Sequence, residues 1–208
     1  MIEDYVKKIT WLGHDGFRIE GSKTIYIDPF QIASGPEADV ILITHEHFDH
    51  CSPDDVAKIQ KTDTIILTEK DSVEKLSGDV RVMQKGESVT LDGVTIEAVA
   101  AYNTDKDFHP EANGWLGFIV EMDGVRLYHA GDTDVISEMA TFKVDIALLP
   151  VSGTYVMTAD QAVTAALDIN PKLAIPMHYG AIVGEAGDAD TFKAALEGKV
   201  GVTILQKE

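Results

Sequence analysis

A chain of 208 residues, of which 45% are hydrophobic, can bury a sizeable core, and we expect a single domain over residues 1–208. The formal net charge of −18, without any run of Lys or Arg, disfavours long nucleic acids as partners or substrates. Residues 1–5 lack the basic and apolar regions of a secretory signal, and no segment reaches transmembrane length, so we expect a cytosolic protein that does not contact a membrane.

The first half of the chain is rich in short segments that run apolar or alternate, as strands do. The strands predicted in this half are residues 8–12, 17–20, 24–28, 40–44 and 64–67. Ser52 and Pro53 have the residue types of an N-cap and a first helical residue, so a helix is predicted to begin there. Thr68 is predicted to cap a further helix that ends at about Leu76.

The second half returns to strands and then alternates them with helices. Its predicted strands are residues 80–83, 88–91, 94–101, 116–122, 125–130, 144–150, 174–177 and 202–205. Asp123 and Gly124 are typical of a tight two-residue hairpin, while Thr158 and Gln161 form a capping box that predicts a helix to about residue 169. A last helix is predicted over residues 190–196. Two groups of strands, each followed by helices, suggest an α/β sandwich with helices covering two packed sheets. Composition does not distinguish this topology from a single open sheet, whereas the candidate ligands at the strand ends favour the sandwich.

Four potential metal ligands follow the predicted buried strand that ends at residue 44. His45 and His47 are two residues apart, so an extended backbone would direct both imidazoles to one face, and Asp49 and His50 follow as the chain turns. Packing alone gives no reason to gather three imidazoles, because they repel when protonated and lose solvent when neutral. The segment therefore predicts a hydrolytic metal site.

Further candidate ligands stand at predicted strand ends in the second half. Asp132 follows a glycine that permits a sharp turn, and a carboxylate in that position can bridge two cations. His178 follows the strand predicted over residues 174–177. Two alternatives stay open for His14, His129 and Asp28, which could be structural or could orient a ligand.

With these residues the sequence resembles the metallo-β-lactamase superfamily of metal-dependent hydrolases. The resemblance covers essentially the whole chain and rests on His45-x-His47-x-Asp49-His50, the Gly131-Asp132 turn and His178. Segments 27–30, 128–133 and 176–180 look most like the compact branch that contains the ascorbate-6-phosphate lactonase-like proteins. The resemblance implies an α/β fold of the four-layer αββα sandwich type, with a dinuclear centre at one edge of the paired sheets.

The resemblance also implies how the ligands divide between two ions. His45 and His47 would hold the first ion with a third histidine, and Asp132 would bridge the two ions. The second ion would be held by Asp49, His50 and His178.

The third ligand of the first ion is where the sequence departs from the superfamily pattern. Asn103 occupies the position where the family usually has a histidine, and an amide oxygen is a weak ligand for borderline metals. His109, six residues later, could fold back into the site. We predict His109 as the ligand, with Asn103 or a water as the alternative.

Two divalent ions lower the pKa of a bridging water to about neutrality and so provide a hydroxide nucleophile. Asp49 could ligate one ion and accept a hydrogen bond from this hydroxide, which makes it the predicted catalytic residue. The site fits hydrolysis of a small ester, lactone or phosphodiester, with Zn as the expected metal and Mn or Fe as alternatives. The competing functions are a nuclease or phosphodiesterase acting on nucleic acid and a non-catalytic metal-binding regulatory protein. A small-molecule substrate is the expected partner, and a homo-oligomer is left open.

Overall fold

The structure is a computed structural model that describes residues 2–208, and it has the expected α/β architecture of two packed sheets with helices outside them. The first sheet contains β1 (Ile9–Gly13), β2 (Gly16–Glu20), β3 (Thr24–Ile27), β4 (Ala38–Ile43), β5 (Gln60–Thr68) and β6 (Asp79–Val82). The second contains β7 (Ser88–Leu91), β8 (Val94–Ala100), β9 (Leu116–Met122), β10 (Val125–His129), β11 (Ile146–Pro150), β12 (Leu173–Met177) and β13 (Gly201–Val202). The α-helices are α1 (Ile2–Val6), α2 (Pro53–Ile59), α3 (Ala159–Ile169) and α4 (Ala186–Ala195).

In both sheets the strands lie in chain order, and each sheet changes from antiparallel to parallel pairing. Strands β1 to β3 pair antiparallel and β3 to β6 parallel, while β7 to β10 pair antiparallel and β10 to β13 parallel. The carboxyl ends of β3, β4, β10, β11 and β12 therefore lie at one edge, together with the β1–β2 turn. The Leu116 N–H donates to the Thr44 carbonyl oxygen at 3.0 Å and joins the two sheets at this edge.

Burial divides the molecule into four layers. Phe17 and Leu42 of the first sheet and Phe118 and Leu148 of the second belong to one core cluster between the sheets, and all four are fully buried. Helix α2 covers the outer face of the first sheet, and α3 and α4 cover the outer face of the second. None of the helices in residues 2–208 is long and apolar enough to cross a bilayer.

The predicted turn and cap signals correspond to the observed backbone. Asp123 and Gly124 both have positive φ, +53° and +77°, which a two-residue hairpin turn with the twist of its strands requires. The Thr158 hydroxyl accepts from the Gln161 N–H while the Gln161 side chain accepts from the Thr158 N–H, and α3 begins at the next residue.

The helix predicted from Thr68 to Leu76 is wrong. Thr68 is the last residue of β5, and only a three-residue 3₁₀ turn, Val73–Lys75, forms afterwards. The Glu69 carboxylate accepts from the backbone N–H groups of Asp71 and Ser72, so a local turn satisfies the donors that a helix would have used.

Two elements near the carboxyl end have different bounds from those predicted. The strand predicted over residues 202–205 is reduced to Gly201–Val202, and the helix predicted over residues 190–196 is α4, which already begins at Ala186. The earlier start follows from a cap in which the Asp188 carboxylate accepts from the Glu185 N–H at 2.8 Å, while the Asp188 N–H donates to the Glu185 carbonyl oxygen at 3.0 Å.

Candidate metal centre

Three histidines from two loops form the first cluster, which we define as His45, His47 and His109. The Nε2 atom of His45 lies 3.0 Å from Nδ1 of His47, and Nε2 of His109 lies 3.3 Å from the same Nδ1. His45 and His47 follow β4 directly, whereas His109 is brought in by the long loop between β8 and β9. One nitrogen from each ring therefore faces the same small space.

Asn103 supports this loop through its amide nitrogen, which also lies 3.3 Å from Nδ1 of His109. That nitrogen donates to the carbonyl oxygens of Phe108 at 2.9 Å and Tyr155 at 2.6 Å, on either side of His109. The structure thus brings His109 to His45 and His47, as predicted, and gives Asn103 a role in holding the loop. That His109 binds a metal stays a prediction.

The second cluster consists of His50, Asp132 and His178, and Asp132 connects it to the first. Oδ1 of Asp132 lies 3.4 Å from Nε2 of His50 and 3.4 Å from Nε2 of His178. Its other oxygen, Oδ2, lies 3.2 Å from Nε2 of His109. The carboxylate of Asp132 is therefore positioned between the two clusters, where a bridging ligand would stand.

Hydrogen bonds fix the orientation of these imidazoles through the ring nitrogen that faces away from the centre. Nδ1 of His50 lies 2.8 Å from the Asp28 carboxylate, and Nδ1 of His109 lies 3.0 Å from the Tyr155 carbonyl oxygen. In His178 the same atom lies 2.9 Å from the Ser152 hydroxyl oxygen. A proton on each Nδ1 leaves the lone pair of Nε2 directed at the centre, which is the arrangement seen when a histidine binds a metal.

Asp28 and Thr44 extend this support to His45. The Asp28 carboxylate accepts from the Thr44 N–H at 2.8 Å and from the Thr44 hydroxyl at 2.6 Å. Since the Thr44 hydroxyl donates its proton to Asp28, the Thr44 oxygen can accept a hydrogen bond from Nδ1 of His45, which lies 3.0 Å away. Of the two open alternatives for Asp28, the structure therefore favours the orienting one.

Asp49 lines a cavity over the two clusters together with Asp132 and His178, but it belongs to none of the groups of potential ligand atoms found within residues 2–208. Its Oδ2 atom lies 3.1 Å from Nε2 of His14, so His14 orients a predicted ligand carboxylate.

His129, by contrast, has a structural arrangement: its Nε2 lies 2.9 Å from the Asp15 carbonyl oxygen and its Nδ1 accepts from the Gly131 N–H. Cys51 is buried beside the site, and burial raises the pKa of its thiol to about 11, so it is not a ready nucleophile.

Sequence reasoning missed Asp15, which the structure places at the centre. This residue is fully buried in the β1–β2 turn, and one of its oxygens lies within 4.8 Å of ligand atoms of Asp132 and His178. Burial raises the pKa of its carboxyl group well above the usual value. A signal did exist in the sequence, because an acidic residue beside a histidine in a turn next to a predicted metal site is a candidate ligand.

The two clusters differ in the pKa values of their histidines. Burial lowers the pKa of His45 well below its usual value, and it also lowers the pKa of His47 and His109. Burial acts in the same direction on His178, but the Asp132 carboxylate outweighs it and raises the His178 pKa to about 9. His50 is raised well above its usual value for the same reason. Without ions the first cluster is therefore neutral at pH 7, and the second carries positive charge.

Several polar atoms at the centre have no hydrogen-bond partner within residues 2–208, although they are buried. They are Nε2 of His50, Oδ1 of Asp132, Nδ1 of His14 and both carboxylate oxygens of Asp15. Buried polar groups are nearly always satisfied, so a concentration of unsatisfied donors and acceptors in one place needs an explanation. Divalent cations bound by imidazole and carboxylate ligands would satisfy the acceptors among them, so the residues fit the predicted metals.

Comparisons with known proteins agree with the fold. A family model described as a β-lactamase superfamily domain matches residues 8–178. The UPF0173 metal-dependent hydrolase of Thermococcus kodakarensis is 37% identical over 96% of this chain and 96% of its own length. A crystal structure from Parabacteroides distasonis, described as a metal-dependent hydrolase, is 37% identical and has a TM-score of 0.85 over 96% of this chain and 93% of that chain.

A third similar protein is Igni18, a metallo hydrolase from the archaeon Ignicoccus hospitalis. It is 25% identical and has a TM-score of 0.79, over 95% of this chain and 94% of its own. The closer resemblance to the ascorbate-6-phosphate lactonase-like proteins stays a prediction. The matched family model and the full-length relatives show that the chain belongs to the β-lactamase superfamily and, within it, to the UPF0173 metal-dependent hydrolases.

Proposed function

We propose that the protein hydrolyses a small, uncharged ester or lactone with an apolar substituent, using two divalent metal ions. The observation that carries this proposal is the orientation of the imidazoles, whose outward nitrogens have oxygen partners while their inward nitrogens converge on Asp132. Relatives that are named metal-dependent hydrolases support the same class of activity.

In this proposal the first cluster would hold one ion, and Asp132 would contribute to the binding of both. His50, His178 and Asp49 hold the second, with Zn expected at both positions and Mn or Fe as alternatives. Bound divalent ions lower the pKa of a coordinated water to about 7 and polarise a carbonyl oxygen, which is the chemistry that ester hydrolysis needs.

Asp49 is the proposed catalytic residue. Burial alone would raise the pKa of its carboxyl group, but the hydrogen bond from His14 and the charge of His50 lower it, so the group is ionised at neutral pH. An ionised carboxylate that lines the pocket can accept a hydrogen bond from the attacking water and direct its lone pair to the substrate. His14 is then a positioning residue, because it touches Asp49 and is itself almost fully buried.

The wall of the pocket supports an apolar, uncharged substrate. The cavity over the two clusters measures about 300 Å³, and beyond the ionisable residues it is lined by Phe48, Phe108, Tyr155, Ile182 and Val183. Four of these are among the six large hydrophobic side chains that residues 2–208 expose, and Phe48 is the most exposed at 69%. Exposed apolar side chains concentrated around one cavity mark a binding site for an apolar group.

The charge of the same wall disfavours a phosphodiester. The lining residues include no Lys or Arg, so nothing besides the ions would neutralise a phosphate. Together with the net charge of −18, this argues against the nuclease alternative.

A substrate series with matched variants tests the proposal. The substrates are p-nitrophenyl acetate, butyrate and hexanoate, a short and a long alkyl lactone, and bis-p-nitrophenyl phosphate. We expect kcat/KM to rise about three- to fourfold for each methylene group that the pocket buries, and the phosphodiester to react most slowly. Asp49→Ala should abolish turnover of every substrate.

Phe108→Ala should flatten the dependence on chain length, whereas Leu167→Ala should not. Leu167 is the matched control because it is similarly exposed but lies on α3, away from the pocket. Metal-loaded protein that hydrolyses none of these substrates would favour the non-catalytic regulatory alternative. A preference for the phosphodiester would refute the substrate class.

A further inference from the structure

The β1–β2 hairpin has an unusual tip, because its two central residues are buried. His14 is 1% exposed and Asp15 is fully buried, although the tip of a hairpin normally faces solvent. The tip packs against the metal centre, where the His178 N–H donates to the His14 carbonyl oxygen at 3.1 Å. The hairpin therefore delivers an acidic side chain to the interior of the site.

The Asp15 carboxylate has no hydrogen-bond partner within residues 2–208. Neither of its oxygens has a hydrogen-bond partner, and no Lys or Arg of these residues forms an ion pair with it. Asp28, the neighbouring buried acid, accepts from the Thr44 N–H, the Thr44 hydroxyl and Nδ1 of His50. A buried carboxylate without such partners is strongly destabilising unless a cation neutralises it.

His50 does not satisfy the Asp15 carboxylate, because the Nδ1 atom of His50 that faces Asp15 already bonds the Asp28 carboxylate. Oδ2 of Asp15 lies 3.9 Å from Nδ1 of His50, too far for a hydrogen bond, while Asp28 occupies the same nitrogen at 2.8 Å. The remaining neighbours of Asp15 are Asp132 and His178, and one ligand atom from each of the three residues lies within 4.8 Å of the others. Ligands held about 2.0 to 2.6 Å from a common ion are separated from each other by about 3 to 5 Å, so the spacing of these three ligand atoms is compatible with one shared ion.

We propose that Asp15 supplies an additional carboxylate ligand to the ion bound by the second cluster. This inference rests on the proposed function, since it assumes that the second cluster binds a metal. It makes the two metal positions chemically different. The first is surrounded by three imidazoles, whereas the second gains oxygen ligands, which Mn²⁺ accepts more readily than Zn²⁺ does.

The test compares metal binding by wild type, Asp15→Asn, Asp15→Ala and a control, Asp55→Asn. Asp55 is also a buried acid, 5% exposed, but it belongs to none of the groups of potential ligand atoms within residues 2–208; on α2 it accepts from the N–H groups of Gln31 and Ile32. Each protein is stripped with a chelator and titrated with Mn²⁺ alone and, separately, with Zn²⁺ alone. Bound equivalents are measured by elemental analysis, and thermal unfolding is followed with and without metal.

Wild type should bind two equivalents of Mn²⁺. Both Asp15 variants should bind one of them about 10- to 100-fold more weakly, with a smaller loss for Zn²⁺. Without metal they should unfold at the same temperature as wild type or a higher one, because a buried carboxyl group without hydrogen-bond partners has been removed. Asp55→Asn should unfold at a lower temperature and bind both ions normally.

Two results would overturn the assignment. The first is unchanged affinity for both ions in Asp15→Asn and Asp15→Ala. The second is a lower unfolding temperature of the metal-free variants with an unchanged metal-induced increase, which would mark Asp15 as a structural residue. Failure of the proposed function is distinguishable, because wild type itself would then bind well under one equivalent of either metal.

Discussion

Asp28→Asn tests whether the hydrogen bonds behind the metal centre orient its ligands. The Asp28 carboxylate accepts three hydrogen bonds, at 2.6 to 2.8 Å, from Thr44 and His50, and all three residues are fully buried. Asparagine has nearly the same shape and tolerates the left-handed backbone of this residue, φ +43°, so the variant changes hydrogen bonding without adding backbone strain.

The magnitude follows from counting these bonds. An amide keeps one acceptor oxygen, which can continue to bind the Thr44 N–H, but its NH₂ group would face the protonated Nδ1 of His50. One or two hydrogen bonds to a charged acceptor are therefore lost, each worth about 1.5 to 3 kcal/mol, so metal-free protein should lose about 1.5 to 6 kcal/mol of unfolding free energy. Because His50 no longer has its Nδ1 proton fixed, the affinity for one ion should fall about 10- to 100-fold, or about 1.4 to 2.7 kcal/mol.

Urea unfolding of metal-free protein gives the first quantity, and titration with Mn²⁺ in competition with a chelator gives the second. Asp39→Asn is the matched control, since the Asp39 carboxylate accepts from the Thr24 N–H at 2.8 Å but lies in β4 away from the metal centre. The control should lose stability without losing metal affinity. If Asp28→Asn behaves like the control, the orienting role assigned to Asp28 is wrong.

Three further predictions concern the metal centre and the core. Binding of the second ion should release protons at pH 7.5, and fewer as the pH rises through about 9, because the raised pKa of His178 keeps that ring protonated below this range, whereas the first cluster is already neutral. Calorimetry in two buffers of different ionisation enthalpy measures the release, and equal release for both ions would contradict this prediction. Gly131→Ala should displace Asp132 and abolish tight binding of at least one ion. The reason is that residue 131 has φ +62° and that an added Cβ atom would lie 2.8 Å from the Leu116 carbonyl oxygen. Elemental analysis measures the metal content, and a normal content would refute this prediction. Phe118→Ala should lower the unfolding free energy by about 3 to 5 kcal/mol in urea, because this ring is fully buried between the sheets, and a loss below 1 kcal/mol would show that the core can close around the cavity.

Local chemistry was enough to predict most of the elements. The β9–β10 hairpin and the start of α3 depend on interactions between residues at most three apart, and such signals survive in any tertiary context. The helix expected after Thr68 failed for the opposite reason. There the Glu69 carboxylate captured the backbone N–H groups of Asp71 and Ser72, and β5 extended through Thr68 to pair with its neighbours.

The sequence by itself determined which residue types could bind metal and that His45, His47 and His50 belong to one site, because they lie within six residues of each other. It could not decide between Asn103 and His109, since that choice depends on how a long loop folds back over the first cluster. Only the tertiary structure brought Asp15 to the centre, because the distance from Asp15 to Asp132 and His178 is set by the packing of two sheets and not by chain spacing.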